Sequence, residues 1–285
     1  MSIRVDSHWT QLVRAGFRSK LPQLLNLFLR RLFPYLFLLA FWQLSAWGVQ
    51  VKGAPFPTPI ETFSRAAELL FGANFLQYSI YQHIGSSLLR WGIGFILAAI
   101  AGLVLGILAT LFDHAYEIII PITALLQPVP SLAWIPLAIL LLGLGPRSTV
   151  FIIFLAGLFP VIINVTTGIK SVPLGLLRAG QMMGAKQTTI FLKILLPGSL
   201  PHLLSGLRTA LANGWRALIA AEMVGGSDQG LGYAIFQSRW SLDYPSAFVA
   251  IIIIAIIGLV IERGVFRKIE AKTVEIWGMS NRSGC

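Results

Sequence analysis

The chain has 285 residues, of which 56% are hydrophobic and only 12% are charged, and its mean hydropathy is +0.77. A soluble domain spends about 25% of its residues on charge, so this composition excludes an ordinary soluble protein and predicts an integral membrane protein. The net charge of +11 would favour nucleic-acid binding in a soluble chain, but in a membrane protein it is better interpreted as a topology signal. The single cysteine, Cys285, excludes an internal disulfide bond.

The N-terminal part of the chain predicts a basic segment followed by a first membrane span. Residues 1–32 carry six basic residues and one acid, and they lack the apolar core and cleavage site of a signal peptide. Their leucines, near helical spacing, fit either an amphipathic surface helix or a tail that serves only as a topology signal. Residues 33–49 are apolar enough to span a membrane, and residues 61–86 predict a short surface helix outside it.

The next two apolar blocks differ in what their special residues predict. Residues 88–112 predict a second span in which Ala98, Gly102 and Gly106 recur every four residues, a spacing that lets another helix pack closely. Residues 118–142 predict a third span that is broken by prolines. Such a broken helix lines the substrate path in transporters, or it is merely a kink. The interrupting prolines are Pro121, Pro128, Pro130 and Pro136.

Three further spans complete a predicted all-α integral membrane protein with six transmembrane helices, and a Gly-rich loop is expected at residues 225–236. The spans are residues 148–169, 203–223 and 247–262. With the N-terminus in the cytoplasm, the inside loops hold fifteen Lys and Arg residues and the outside loops hold four, which fixes the predicted orientation. The predicted organisation is a cytoplasmic basic segment 1–32, a transmembrane domain 33–262 with a cytoplasmic loop 170–202, and a cytoplasmic tail 263–285.

The stretch RAGQMMGAKQTTIFLKILLP, residues 178–197, predicts two surface helices separated by a turn. It carries basic residues but no acid, and Gly184 is expected to bend or break the helix. Pro197 is expected to end the second helix, because proline lacks an amide proton and clashes with the preceding turn.

The sequence offers no catalytic or metal-binding pattern. No Gly-rich loop is followed by Lys and Ser/Thr, so the chain is not expected to hydrolyse nucleotide. The histidines are scattered without metal-ligand spacing. They are His8, His83, His114 and His202. The chain is therefore not expected to be an enzyme, and any energy source is expected on another chain.

The helix–glycine–helix pattern resembles the EAA loop of permease subunits of ATP-binding-cassette (ABC) importers, which reads Glu-Ala-Ala, three residues, Gly, nine residues, Ile, one residue, Leu-Pro. The matching residues are Ala179, Gly184, Ile194, Leu196 and Pro197. Arg178 stands where the family has Glu, and Gly180 stands where it has the second Ala. The resemblance implies a set of ATPase-coupling residues. They are Arg178, Ala179, Gly180, Met183, Gly184, Ala185, Ile194, Leu196 and Pro197.

Further stretches are similar to one branch of that family, the nitrate, sulfonate, taurine and bicarbonate permeases. They are residues 127–145, 159–169, 205–226 and 273–279. The resemblance implies a type I ABC importer permease fold, with residues 33–262 as the permease domain, and a homodimer in the plasma (bacterial inner) membrane. It also implies two cytoplasmic ATPase subunits that hold ATP and Mg, no cofactor on this chain, and an extracytoplasmic solute-binding protein. In this family, ATP binding closes the ATPase pair and pushes on the EAA loops.

Polar residues inside the spans are candidates for the translocation pathway. Arg216 could attract an anion or pair with another helix, but it lies about 240° around the helix from Glu222, so the two are not expected to pair. Asn164 and Asn213 could bind an oxyanion or bond across helices. Arg208 is expected to reach the cytoplasmic surface. The full candidate set is Pro128, Pro130, Ser131, Trp134, Asn164, Asn213, Arg216 and Glu222.

The predicted function is the permease subunit of an ATP-driven ABC importer for a small oxyanion, with sulfonate or taurine ahead of nitrate or bicarbonate. The alternative is an ATP-independent secondary transporter or channel for a small anion, which would show an internal inverted repeat and an intramembrane carboxylate for ion coupling. The sequence has no clear repeat, and apart from Glu262, the last residue of the sixth predicted span, Glu222 is the only acid inside a predicted span. A membrane enzyme would need a clustered catalytic set, which is not found.

Overall fold

The structure is a computed structural model, and it describes residues 32–224, 227–262 and 264. Internal contacts divide the chain into two compact units, residues 1–64 and 65–285. Apart from Leu32 and Gly264, the predicted basic segment and the predicted C-terminal tail lie outside the described residues.

The first unit contains the first predicted span as helix α1 (Leu32–Gln50). A proline-rich turn follows, and Trp42 Nε1 donates a hydrogen bond to the carbonyl oxygen of Pro57 at 3.0 Å, which ties the turn back to α1. Helix α2 (Pro59–Leu70) begins directly after this turn and continues into the second unit.

The second unit consists of long helices and one short antiparallel hairpin. Its described elements after α2 are β1 (Asn74–Phe75), β2 (Tyr78–Ser79), α3 (Ile80–Leu111), α4 (Asp113–Leu126), a 3₁₀ turn (Ser131–Trp134), α5 (Ile135–Leu142), α6 (Pro146–Lys170), α7 (Leu174–Met182), α8 (Gln187–Ile190), a π-helical turn (Phe191–Leu195), α9 (Leu196–Val224), α10 (Leu231–Ser241) and α11 (Tyr244–Ile261). Among the described residues, five helices are long and apolar enough to cross a membrane, and α4 together with Ser131–Leu142 makes a sixth when this bent pair is counted as one span. The predicted six spans are confirmed.

Helix α6 packs against both α3 and α9. A Cβ atom at Gly102 would lie 2.6 Å from Val161, and one at Gly106 would lie 2.7 Å from Val165, so the backbone of α3 approaches α6 too closely for any side chain there. Ala98 is fully buried on the same stripe. The predicted small-residue stripe is thus confirmed as a helix-packing face.

The third predicted span is broken, as the prolines indicate. Helix α4 and the segment Ser131–Leu142 meet at an angle of 100°. Pro136 stands in the first turn of α5, where a missing N–H removes no helical hydrogen bond. Pro130 lies in the connection that precedes the 3₁₀ turn.

The prediction that Pro197 ends a helix is wrong, because residues 187–224 form one continuous helix. A π-helical turn directly before Leu196 explains this, with the N–H of Leu196 donating to the carbonyl oxygen of Phe191 five residues back. The wider turn displaces the carbonyl group that a proline ring would otherwise meet in a regular α-helix.

Two predicted boundaries at the opposite end of the unit, near Val224, are also wrong. Helix α3 begins at residue 80, before the predicted start at 88, with a capping box made by Ser79 and Gln82. The predicted loop 225–236 gives way to α10 at residue 231. Gly232 packs so tightly on α9 that a Cβ atom would strike the α9 backbone, so this glycine serves packing rather than flexibility.

Candidate functional site

A cleft of about 360 Å³ lies where the bent third span meets the middle of α6 and α9. Its walls bring together six of the eight residues that the sequence suggests for a pathway. These are Pro128, Pro130, Ser131, Trp134, Asn213 and Arg216. Leu155 and Phe159 of α6 add an apolar wall. The break at the prolines therefore lines a cavity between helices, as discontinuous helices do in transporters.

Arg216 is the one charged side chain among the described residues of the cleft. Its Nη2 donates to Asn213 Oδ1 at 2.8 Å and its Nε donates to the carbonyl oxygen of Ala212 at 3.3 Å, so the guanidinium is oriented by its own helix. The side chain is exposed. A cation held in a mostly apolar cleft attracts anions, and a guanidinium matches planar and tetrahedral oxyanions with paired N–H donors.

The structure places the other two candidates, Asn164 and Glu222, outside the cleft. Asn164 Nδ2 donates to the carbonyl oxygen of Pro160 at 2.8 Å, and its Cβ lies where a side chain on Gly206 of α9 would be. Asn164 thus sits in the contact between α6 and α9. Glu222 is 1% exposed and lies at the Val224 end of α9, so it does not pair with Arg216, in agreement with the angular argument.

Glu222 is the centre of a buried polar network between α3, α9 and the start of α10. Its carboxylate accepts hydrogen bonds from Arg90 Nη1 at 2.8 Å, from Ser87 Oγ at 2.9 Å and from the N–H of Gly232 at 3.0 Å. Arg90 Nη1 also donates to the carbonyl oxygen of Gln229 at 2.5 Å. The charges are therefore paired and their remaining hydrogen-bonding capacity is used inside the protein, as buried ions require.

His83 extends this network toward the hairpin. Its Nδ1 lies 3.1 Å from the N–H of Gly230, and its Nε2 lies 3.0 Å from the carbonyl oxygen of Phe75. Both contacts form when the neutral ring carries its proton on Nε2. The N–H of Leu231 donates to Ser87 Oγ at 2.9 Å. Three side chains of α3, those of His83, Ser87 and Arg90, thus hold residues 229–231 in place where α10 begins.

The sequence alone does not predict that Arg90 pairs with Glu222, although the position of Arg90 indicates that it needs a partner. An ionisable residue inside a span is costly unless it has a partner, and Arg90 stands inside the second predicted span. The N-terminal turns of α3 are polar and therefore suggest a surface position, whereas the structure buries their His83, Ser87 and Arg90 side chains.

The loop that resembles the EAA motif forms a helix, a turn and the beginning of the long α8–α9 helix. Gly184 has φ +75°, a left-handed conformation that favours glycine, and it separates α7 from α8. Gly180 is buried, and a Cβ atom there would lie 2.8 Å from the Cδ1 atom of Ile194. The glycine that replaces the motif alanine therefore brings α7 close to the helix that follows it.

Met182 and Met183 form the most exposed apolar part of this loop, with 84% and 86% of their surface accessible. Arg178 is exposed beside them, and Ala185 is half-buried. Leu196 and Pro197, the last two residues of the motif, are half-buried and are the first two residues of α9.

Residues 102–272 match the family described as binding-protein-dependent transport system inner membrane component. The chain belongs to this family. It is 33% identical over 208 residues to the taurine transport system permease protein TauC of Escherichia coli (strain K12), covering 73% of this chain and 75% of TauC. It is 29% identical over 247 residues to the nitrate import permease protein NrtB of Leptolyngbya laminosa, covering 85% of this chain and 88% of NrtB.

The fold is similar to that of a chain in a solved structure of the MetNI methionine ABC transporter in an inward-facing conformation. The TM-score is 0.59 at 20% identity, over 67% of this chain and 95% of that chain. As a member of the inner-membrane-component family, the protein is a multi-pass permease subunit of an ABC importer with the predicted type I fold. This membership disfavours the alternative of a self-sufficient secondary transporter or channel.

Proposed function

We propose that this permease forms half of the translocation pathway for a small oxyanion, with nitrate, bicarbonate and taurine or a related sulfonate as the candidates. The observation that supports this most directly is Arg216, an exposed guanidinium in a cleft whose other described lining residues are uncharged. Relatives named for taurine and nitrate agree with this substrate class. Asn213 orients the guanidinium, and the apolar wall from α6 excludes water from the bound anion.

We further propose that the pathway is completed by a second copy of this chain. The cleft is an open depression on one copy, and a second α9 facing it would convert the depression into an enclosed path. An extracytoplasmic binding protein delivers the substrate at the Val224 end, and both termini are cytoplasmic in the bacterial inner membrane. The Lys and Arg excess in the loop 170–202 supports a cytoplasmic position for that loop.

Two cytoplasmic ATPase subunits supply the energy in this proposal, and they hold the ATP and Mg. Met182 and Met183 supply the apolar surface that enters a groove of the ATPase, because methionine adapts to irregular surfaces. Gly184 provides the turn that presents them. The continuous helix from Gln187 to Val224 has 38 residues, or about 57 Å, and carries motion from this loop to the opposite end.

The test is purification of the chain from detergent-solubilised membranes, followed by reconstitution with the ATPase and binding protein that accompany it. ATP-dependent uptake of nitrate, bicarbonate or taurine, reduced at low anion concentration by Arg216→Ala, is the expected result. Uptake by the chain alone without ATP would contradict the proposed partnership. Equal uptake by wild type and Arg216→Ala would contradict the proposed role of the arginine.

A further inference from the structure

A second cavity, of about 390 Å³, lies between α9 and α11 and shares Arg216 with the cleft. Trp215 forms part of its wall and donates from Nε1 to the carbonyl oxygen of Ile254 at 3.3 Å, which holds the two helices together on one side. Gly258 leaves room for this indole, since a Cβ atom there would lie 3.1 Å from Trp215 Nε1. The space beside Arg216 therefore continues along α9 toward the Lys170 end of the unit.

Arg208 and Glu262 stand in the wall of this second cavity. Arg208 Nη2 lies 3.2 Å from Glu262 Oε1, and their side chains are 45% and 54% exposed. An ion pair between two such exposed groups contributes little to stability. Arg208 precedes Arg216 by eight residues, which is about 12 Å along the helix and about 80° around it. Two arginines of α9 thus face one continuous space.

We infer that Arg208 is a second binding station for the transported oxyanion, reached after Arg216 on the way to the cytoplasm. The inference rests on the proposed function and extends it to the exit step. A guanidinium binds carboxylates and other oxyanions through the same N–H donors, so the substrate exchanges with the Glu262 carboxylate on Arg208. Glu262 then competes with the anion, promotes its release and pairs with Arg208 again afterwards.

If Arg208 binds the anion and Glu262 competes with it, substitutions of the two residues should have opposite effects on anion binding. Removal of the Arg208 charge weakens anion binding at the exit, whereas removal of the Glu262 charge strengthens it, because the competing carboxylate is lost. A purely structural ion pair between α9 and α11 makes no such distinction. Either substitution then breaks the same contact and shifts every measured property in the same direction.

The experiment uses the whole importer in proteoliposomes with the ATPase side facing the bath and the loaded binding protein inside. The probe is whichever of nitrate, bicarbonate and taurine the wild-type complex transports. The measured quantity is the bath concentration of that anion that halves the ATP hydrolysis stimulated by the loaded binding protein. Arg208→Ala should raise this concentration at least fivefold, Arg208→Lys should raise it less, and Glu262→Gln should lower it severalfold.

Arg147→Ala is the matched control, because Arg147 is an exposed arginine of α6 that lines neither cavity, and its value should equal that of wild type. Shifts of the same sign for Arg208→Ala and Glu262→Gln, or no shift in either, would overturn the inference, as would a wild type that the bath anion does not inhibit. Those results leave the proposed function standing if Arg216→Ala still lowers uptake at low anion concentration. A wild-type complex that transports none of the three anions overturns both proposals.

Discussion

Arg90 Nη1 of α3 lies 2.8 Å from Glu222 Oε1 of α9, and this buried ion pair joins two residues that are 132 positions apart in the chain. The pair stands at the end of α9 that is remote from the loop 170–202. It accepts and donates hydrogen bonds that also fix Gln229 and Gly232, so the start of α10 is attached to α3 and α9 together. These contacts join α3, α9 and the start of α10 at the Val224 end of the unit.

Glu222→Ala should destabilise the protein strongly, because it leaves the Arg90 charge buried without a partner. Breaking a buried pair in this way costs about 3–5 kcal/mol. The measurement is the unfolding midpoint of the detergent-solubilised protein, followed by tryptophan fluorescence. The double variant Arg90→Met with Glu222→Leu should unfold at a higher temperature than Glu222→Ala. A single variant as stable as wild type would contradict the assigned network.

Gly230→Ala should perturb the same network through its backbone. Gly230 has φ +140°, and a Cβ atom would lie 2.5 Å from the carboxylate of Glu222. Gly145→Ala is a matched control, because Gly145 has φ +122° and no atom within 4 Å of the added Cβ. Both variants incur backbone strain of about 1–3 kcal/mol, and only the first displaces Glu222. Thermal unfolding should show a clearly larger loss for Gly230→Ala, and equal losses would argue against close packing around Glu222.

The sequence predicts those features of the fold that depend on local periodicity. The stripe of Ala98, Gly102 and Gly106 shows which face of α3 packs closely, and the dense prolines show where the third span breaks. These features are predictable because close helix packing depends on small residues four positions apart, and helix breaking depends on the ring of a single proline. Six of the residues that line the cleft are predicted from the sequence, four of them at the break and two of them polar residues of α9.

Features that depend on distant partners are not predictable in the same way. The polar first turns of α3 indicate a surface helix, because nothing nearby in sequence shows that Ser87 and Arg90 meet Glu222. The glycines before α10 suggest a loop, although Gly232 is needed for its contact with α9. Pro197 suggests a helix end, and the π-helical turn that accommodates it has no signal in the sequence that we recognise.

The two asparagines of the predicted pathway should behave differently. Asn213→Ala removes the acceptor that orients Arg216, so the KM for the transported anion should rise severalfold, up to roughly the tenfold expected for about 1.4 kcal/mol. Asn164→Ala removes a hydrogen bond within α6 and should lower thermal stability while leaving the KM unchanged. Uptake kinetics of the two variants in the reconstituted importer provide the comparison. An equal rise in KM for both would place Asn164 in the path as well.

Arg216→Lys should retain part of the transport that Arg216→Ala loses. A lysine keeps the positive charge but not the paired N–H donors, and hydrogen bonds to charged groups contribute about 1.5–3 kcal/mol. The KM should therefore rise roughly tenfold or more for Arg216→Ala and less for Arg216→Lys, with stability unchanged because the side chain is exposed. A KM that is the same for lysine and alanine would show that charge at this position does not bind the anion.

Gly184→Arg should uncouple transport from ATP hydrolysis without preventing membrane insertion. Gly184 is exposed with φ +75°, so a bulky residue strains the turn that presents Met182 and Met183 and also obstructs the surface proposed to meet the ATPase. Gly72→Arg is a control with a similar backbone, since Gly72 has φ +113° and no atom within 4 Å of an added Cβ, and it lies outside the loop 170–202. The measurements are the amount of ATPase that copurifies and the rate of ATP-driven uptake. Both quantities should fall for Gly184→Arg and remain near the wild-type values for Gly72→Arg. Unchanged uptake with Gly184→Arg would show that the turn at Gly184 is not part of the surface that contacts the ATPase.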